Sequence, residues 1–150
     1  HGPRTGTARL YMKPLEKTVR KLVLQWLDKA EQDYRAASVL LSSNPAVYAA
    51  SCFHAQQAVE KYMKAYLTAC QIPFPKTHSL GELLDLIETE NPALAEQYEN
   101  AVFLSPYCVD IRYPGESSEP DKDETEEALS YTRNLRDTIL SLLNVTPPSQ

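Results

Sequence analysis

The residues best suited to chemistry fall on one predicted helix and in two turns. His54, Gln57, Lys61 and Lys64 follow one another at steps of 3, 4 and 3, which puts them on one face of a helix. One imidazole, one carboxamide and two ammonium groups in such an array could hold a phosphate or a nucleotide. The same four residues also fit a plain solvated helix face, and Glu60 with Lys64 has the spacing of an ordinary i,i+4 ion pair. His78 stands directly before Ser79, a predicted helix cap, where it can pack at the helix start or reach a ligand. His54 and His78 form a catalytic or metal pair only if the fold joins them. No Cys or carboxylate stands at a ligand-like spacing from either, so no metal site is expected. Arg112-Tyr113-Pro114-Gly115 sets a guanidinium beside a proline-fixed turn, where it can grip phosphate through two parallel hydrogen bonds. The alternative is a loop Arg paired with Asp110 or Glu116. Cys52, Cys70 and Cys108 read as buried apolar fillers. No nucleophile elbow, phosphate loop or Ser/His/Asp arrangement is legible.

Helices must position these groups. From Val19 to Leu41, Leu22, Trp26, Ala30, Tyr34, Ala37 and Leu41 recur at steps of 3 or 4 and predict one apolar helix face. Ser42-Ser43-Asn44-Pro45 stops that helix. A second helix is predicted from about Ala46 to Cys70, with Cys52, Ala55, Val59, Tyr62 or Met63, Tyr66 and Leu67 inward, and Ile72-Pro73-Phe74-Pro75 ends it. Ser79-Leu80-Gly81-Glu82 has capping-box spacing and opens a third helix with Leu80, Leu83, Leu84 and Ile87 inward. Asn91-Pro92 supplies an N-cap and a first-turn proline for a fourth, which carries Leu94, Ala95, Tyr98 and Val102 to about Leu104. After an irregular stretch from Ser105 to Asp123, a last helix begins near Asp121 or Asp123. Its acidic first turn suits the helix dipole, and Ala128, Leu135, Ile139 and Leu142 keep helical spacing to about Leu143. No run alternates with period two long enough for a strand. The predicted fold is an all-α antiparallel up-down bundle of about five helices.

The 150 residues suit a single domain. Residues 1–11 read as a leader or tag-like segment, 12–145 as the helical domain and 146–150 as a flexible tail. A net charge of −5 argues against long nucleic acid as the partner, since that attraction rests on a basic surface. No apolar stretch approaches the ~20 residues of a membrane span. An odd count of three cysteines is no disulfide framework and points to a reducing, cytoplasmic setting. Apolar surface left over from a small bundle favours a homodimer.

The run Ala50 to Leu67, with Phe53-His54-Ala55-Gln56-Gln57-Ala58, then Glu60-Lys61, then Lys64-Ala65, resembles the signature helix of HEPN domains (higher eukaryotes and prokaryotes nucleotide-binding domains). Trp26-Leu27 with Ala30-Glu31-Gln32-Asp33-Tyr34, Thr77-His78-Ser79-Leu80 and Arg112-Tyr113-Pro114 resemble the family's other elements in order and spacing, so the likeness spans about Val19 to Leu143. The resemblance implies a helical bundle, commonly dimeric. Members of the family partner small nucleotidyltransferases, often as toxin–antitoxin pairs, and others are ribonucleases or nucleotide-binding proteins. The ribonucleases carry an Arg followed four to six residues later by a His. Here Glu116, Ser117 and Ser118 stand at those places after Arg112, and no His follows His78. The resemblance therefore implies a non-catalytic nucleotide-binding dimer beside a separately encoded minimal nucleotidyltransferase, without a resident cofactor. Arg112 would hold phosphate, with His54, Lys61, His78, Tyr113, Gln57 and Lys64 around the ligand. A metal-independent ribonuclease using Arg112 with His54 or His78, and a purely structural or regulatory dimer, are the alternative readings.

Overall fold

The computed structural model describes residues 15–100 and 119–146. These residues form five helices and no strand: α1 (Lys17–Ser42), α2 (Tyr48–Ala69), α3 (Leu80–Glu90), α4 (Pro92–Gln97) and α5 (Lys122–Leu142). The suggested leader, Val102, Cys108, Arg112 and Tyr113 lie outside the described residues.

The core is built around α2. From Ser51 to Ala69 this helix is buried on almost every side, through Ala55, Ala58, Val59, Tyr62, Met63, Ala65, Tyr66 and Leu67 among others. Its small residues let neighbouring backbones approach, while its Tyr and Met side chains fill the gaps between them. The predicted inward row of α2 is buried, but as part of a wider burial than one stripe allows.

In α1 the predicted stripe needs a correction. Leu22 is 46 % exposed, and Trp26, Tyr34 and Leu41 are only half-buried. Ala30 and Ala37 of the predicted stripe are buried, while nearer the helix start Val23 and Leu27 take the buried places predicted for Leu22 and Trp26. The large rings account for the offset. Trp26 leans on Phe74 with ring centroids 6.1 Å apart, and Tyr34 reaches toward α5, so both mark the edges of the buried stripe rather than its centre.

Side-chain contacts fix the helix directions. Ser51 Oγ donates to the Ala37 carbonyl at 2.7 Å, Asp33 meets His54 and Lys61, Glu31 meets Tyr62, and Trp26 meets Lys64. Numbers fall along α1 as they rise along α2, so the two are antiparallel. Tyr34 meets Arg133 and Glu31 meets Arg136, which makes α5 antiparallel to α1 as well. The Cys52–Thr125 and Ala55–Thr132 contacts accordingly run α5 in the direction of α2.

The ends of the helices follow the sequence signals closely. Asp121 and Glu124 form a complete capping box, each side chain satisfying the other residue's backbone N–H. Asn91 Oδ1 caps α4 by accepting from Leu94 N–H, with Pro92 in the first turn. Ser79 caps α3, but only half of the expected box forms there. The Glu82 carboxylate accepts instead from the Thr77 hydroxyl at 2.7 Å, and Thr77 Oγ1 accepts the Ser79 N–H. Leu80, Leu83, Leu84 and Ile87 of α3 face inward as predicted. Both α2 and α5 end on a left-handed residue, Gln71 and Asn144. Ile72 and Val145 then donate back to Leu67 and Leu140, closing the last turn while their own side chains pack on the core.

Candidate functional site

The chemistry-bearing residues of α2 separate into two clusters, each centred on a carboxylate. In the first, Asp33 of α1 accepts from His54 Nδ1 at 2.9 Å and from Lys61 Nζ. His54 and Lys61 are seven residues apart, two helical turns, so both lean to the same side of α2 and can share one acid. Gln57 lies half-buried between them along the helix.

In the second cluster Glu60 is the centre. Its Oε2 takes Lys64 Nζ at 3.0 Å and its Oε1 takes His78 Nδ1 at 3.0 Å. The Glu60 and Lys64 side chains are only 4 % and 7 % exposed, whereas His78 is 77 % exposed. The predicted i,i+4 pair is therefore real, but it is buried. Lys64 is also enclosed by aromatic faces, with Nζ 5.4 Å from the Trp26 centroid and 5.8 Å from that of Phe74. A buried ammonium needs such company, because removing its water is otherwise costly.

The sequence therefore gathers His54 with Lys61 and Lys64 with His78, but it hangs the two imidazoles on different carboxylates. Both imidazoles meet their carboxylate through Nδ1. Among the described residues no group of three or more His, Cys, Asp and Glu side chains is arranged to hold a metal ion. No described helix is long and apolar enough to cross a membrane.

A third polar node escapes sequence reading. Arg136 of α5 binds Glu31 of α1 through two parallel hydrogen bonds, Nε to Oε2 at 2.6 Å and the terminal nitrogen to Oε1 at 2.9 Å. The hydroxyl of Tyr62, a fully buried residue of α2, donates to the same Glu31 carboxylate. Arg136 also lies over the Tyr34 ring, 5.3 Å from its centroid. Its hydrogen bonds to Glu31 push its pKa upward, so the guanidinium is locked in its charged form. Burial first, then the Glu31 hydrogen bond, pushes the Tyr62 hydroxyl far above the ordinary tyrosine range. Nothing in the spacing of α5 singles out Arg136. Its role depends on the register of three helices.

Cys52 is buried and donates weakly to Thr125 Oγ1 at 3.5 Å, as a filler between α2 and α5. Cys70 is half-buried beside the core. The carbonyl oxygen of the Gln56 side chain is buried with no hydrogen-bond partner among the described residues. An open cleft of about 590 Å³ borders Tyr98 and Tyr131, whose rings meet edge to face at 5.5 Å.

The family model described as HEPN domain matches residues 23–142, which takes in all five helices apart from the first turns of α1. No curated protein and no solved structure matches the chain.

Proposed function

The chain belongs to the HEPN domain family, and from that membership we propose a cytoplasmic, non-catalytic nucleotide-binding module, working as a homodimer beside a separately encoded minimal nucleotidyltransferase in a toxin–antitoxin-like pair. The observation that carries the nucleotide reading is the pair of polar clusters along α2, His54 and Lys61 on Asp33 and His78 on Glu60, with Gln57 half-buried between His54 and Lys61. Ligand binding is the natural use of so much polar chemistry on the best-buried helix of the fold. Lys61 and Lys64 already have acidic partners, so the phosphate charge falls mainly to Arg112, with Tyr113 beside it as a surface for a base. The homodimer reading rests on Val39, Val47 and Phe53, three exposed apolar residues where α1 gives way to α2.

Arg112→Ala is expected to weaken ATP binding about 10- to 100-fold, the scale of hydrogen bonds to a charged group, with an unchanged circular dichroism spectrum. Calorimetry on parent and variant checks this, and equal affinities would overturn the phosphate role of Arg112. For the partner, affinity purification from the native host is expected to bring along a nucleotidyltransferase at near-equal stoichiometry. A homodimer emerging alone would remove the two-component part of the proposal.

The ribonuclease reading has one observation in its favour. Each imidazole meets a carboxylate at Nδ1, an arrangement that leaves Nε2 for acid–base work. Cyclic-phosphate products from RNA, lost in His54→Ala or His78→Ala, would support it over simple binding.

A further inference from the structure

We propose that Glu60 is a positioning residue that fixes His78 as an outward hydrogen-bond acceptor, so that His78 reads a hydroxyl or N–H donor of the nucleoside rather than the phosphate. The inference rests on the nucleotide reading above and deepens it.

Glu60 is held as the ion-pair partner of Lys64, and an ionised carboxylate accepts hydrogen bonds but donates none. His78 Nδ1 lies 3.0 Å from Glu60 Oε1, so Nδ1 must carry the hydrogen in that bond. A neutral imidazole has only one such hydrogen, and Nε2 is left with a lone pair. Lys64 is already the counter-ion of Glu60, so charge balance does not call for a second cation on His78.

The backbone around His78 is fixed as well. Thr77 Oγ1 accepts the Ser79 N–H at 3.0 Å and donates to Glu82 at 2.7 Å, while Ser79 caps α3. The imidazole is thus tied on its Nδ1 edge and through both sequence neighbours, yet its side chain is 77 % exposed. Such a group is available to a ligand and restrained in direction, which is what selectivity requires.

An acceptor at Nε2 suits a ribose hydroxyl or an exocyclic amino group. It does not suit a phosphate, which is rich in acceptors and would also meet the nearby Glu60 charge. Lys64 changes role on this account. It does not touch ligand but neutralises Glu60 between Trp26 and Phe74.

Long-range proton–nitrogen NMR on the full chain tests the geometry without any ligand. The expected result is a protonated Nδ1 and a bare Nε2 on His78, and the opposite tautomer would overturn the inference. Adenosine and inorganic phosphate are then titrated separately. Adenosine is expected to shift the His78 resonances and phosphate to leave them in place. His78→Ala is expected to lower adenosine affinity about tenfold, as for one lost hydrogen bond. The charged groups facing this imidazole are Glu60, with Lys64 behind it on α2, and Glu82 of α3 through Thr77. Phosphate binding at His78 would overturn the acceptor role and leave the nucleotide reading standing. If neither adenosine nor ATP binds the parent protein, the nucleotide reading falls and the assigned ligand class with it. Glu60→Gln is expected to mix the His78 tautomers, since an amide can donate as well as accept, and an unmixed tautomer would overturn the positioning role. Should that variant fail to fold, His78→Ala alters only an exposed side chain and keeps the adenosine test decisive.

Discussion

Lys64→Met is expected to lower the stability of the protein by about 3–5 kcal/mol, because it leaves the Glu60 carboxylate buried without its counter-ion. The two side chains are 7 % and 4 % exposed, so water cannot take the place of the lost ammonium. Met has nearly the length of the Lys stem, and its sulfur is at home between the Trp26 and Phe74 rings, so lost packing does not explain a large effect. The double variant Glu60→Met with Lys64→Met should recover most of the loss, since removing both charges of a buried pair is often close to neutral. Urea unfolding of the three proteins at neutral pH gives the coupling between the two positions directly. An exposed i,i+4 pair would couple by only about 0.3–0.5 kcal/mol. A loss below about 1 kcal/mol for Lys64→Met would therefore place the pair in solvent and remove the premise that Glu60 is fixed by burial.

This pair also shows where sequence reading stops. The spacing of Glu60 and Lys64 announces an ion pair, but spacing alone cannot say that the pair is buried. That depends on Trp26 and Phe74 closing over it, from α1 and from the segment after α2. The helix ends were far more legible, because caps are local. Asp121 with Glu124, and Asn91 with Pro92, need only a few consecutive residues to declare themselves. Ser79 with Glu82 is the instructive partial case, in which Thr77 competes for the Glu82 carboxylate and breaks the reciprocal bond. The apolar stripe of α1 held at Ala30 and Ala37 but missed Val23 and Leu27, because a large ring such as Trp26 satisfies the helical period while standing at the edge of the buried face. For the candidate site, the step pattern on α2 picked out the polar residues but not their division between Asp33 and Glu60. Both acids become partners only once α1 and the Thr77–Ser79 turn are set against α2. Arg136 was invisible for the same reason, since its value lies in reaching Glu31 from the far end of the chain.

Raising the pH from about 9 to about 11 is expected to remove about 4 kcal/mol of stability through three tyrosines alone. Burial is the leading cause that pushes Tyr62, Tyr66 and Tyr131 far above the ordinary tyrosine value of 10.0. The folded chain therefore keeps these protons through the interval in which the unfolded chain releases them. A raised pKa stabilises fully below the unfolded value, and the benefit is lost as the pH climbs above it. Each such hydroxyl contributes about 1.4 kcal/mol over those two pH units. Tyr98 is shifted in the same direction by burial and adds to the trend. Urea unfolding across the range should show the fall, while tyrosinate absorbance of the folded protein should lack the buried share of its nine tyrosines until unfolding begins. Tyr62→Phe should flatten the fall by about a third of the total, because one of the three shifted protons is gone. A slope unchanged in that variant would show that Tyr62 ionises freely in the folded state. The physical stake is the arrangement of the bundle. The Tyr62 hydroxyl lies on the Glu31–Arg136 node that ties α1, α2 and α5, and Tyr131 donates to the Tyr98 carbonyl where the end of α4 meets α5. Ionising either hydroxyl puts a negative charge against a carboxylate or a carbonyl oxygen that now accepts its hydrogen, so alkaline loss of these protons and separation of the helices are one event.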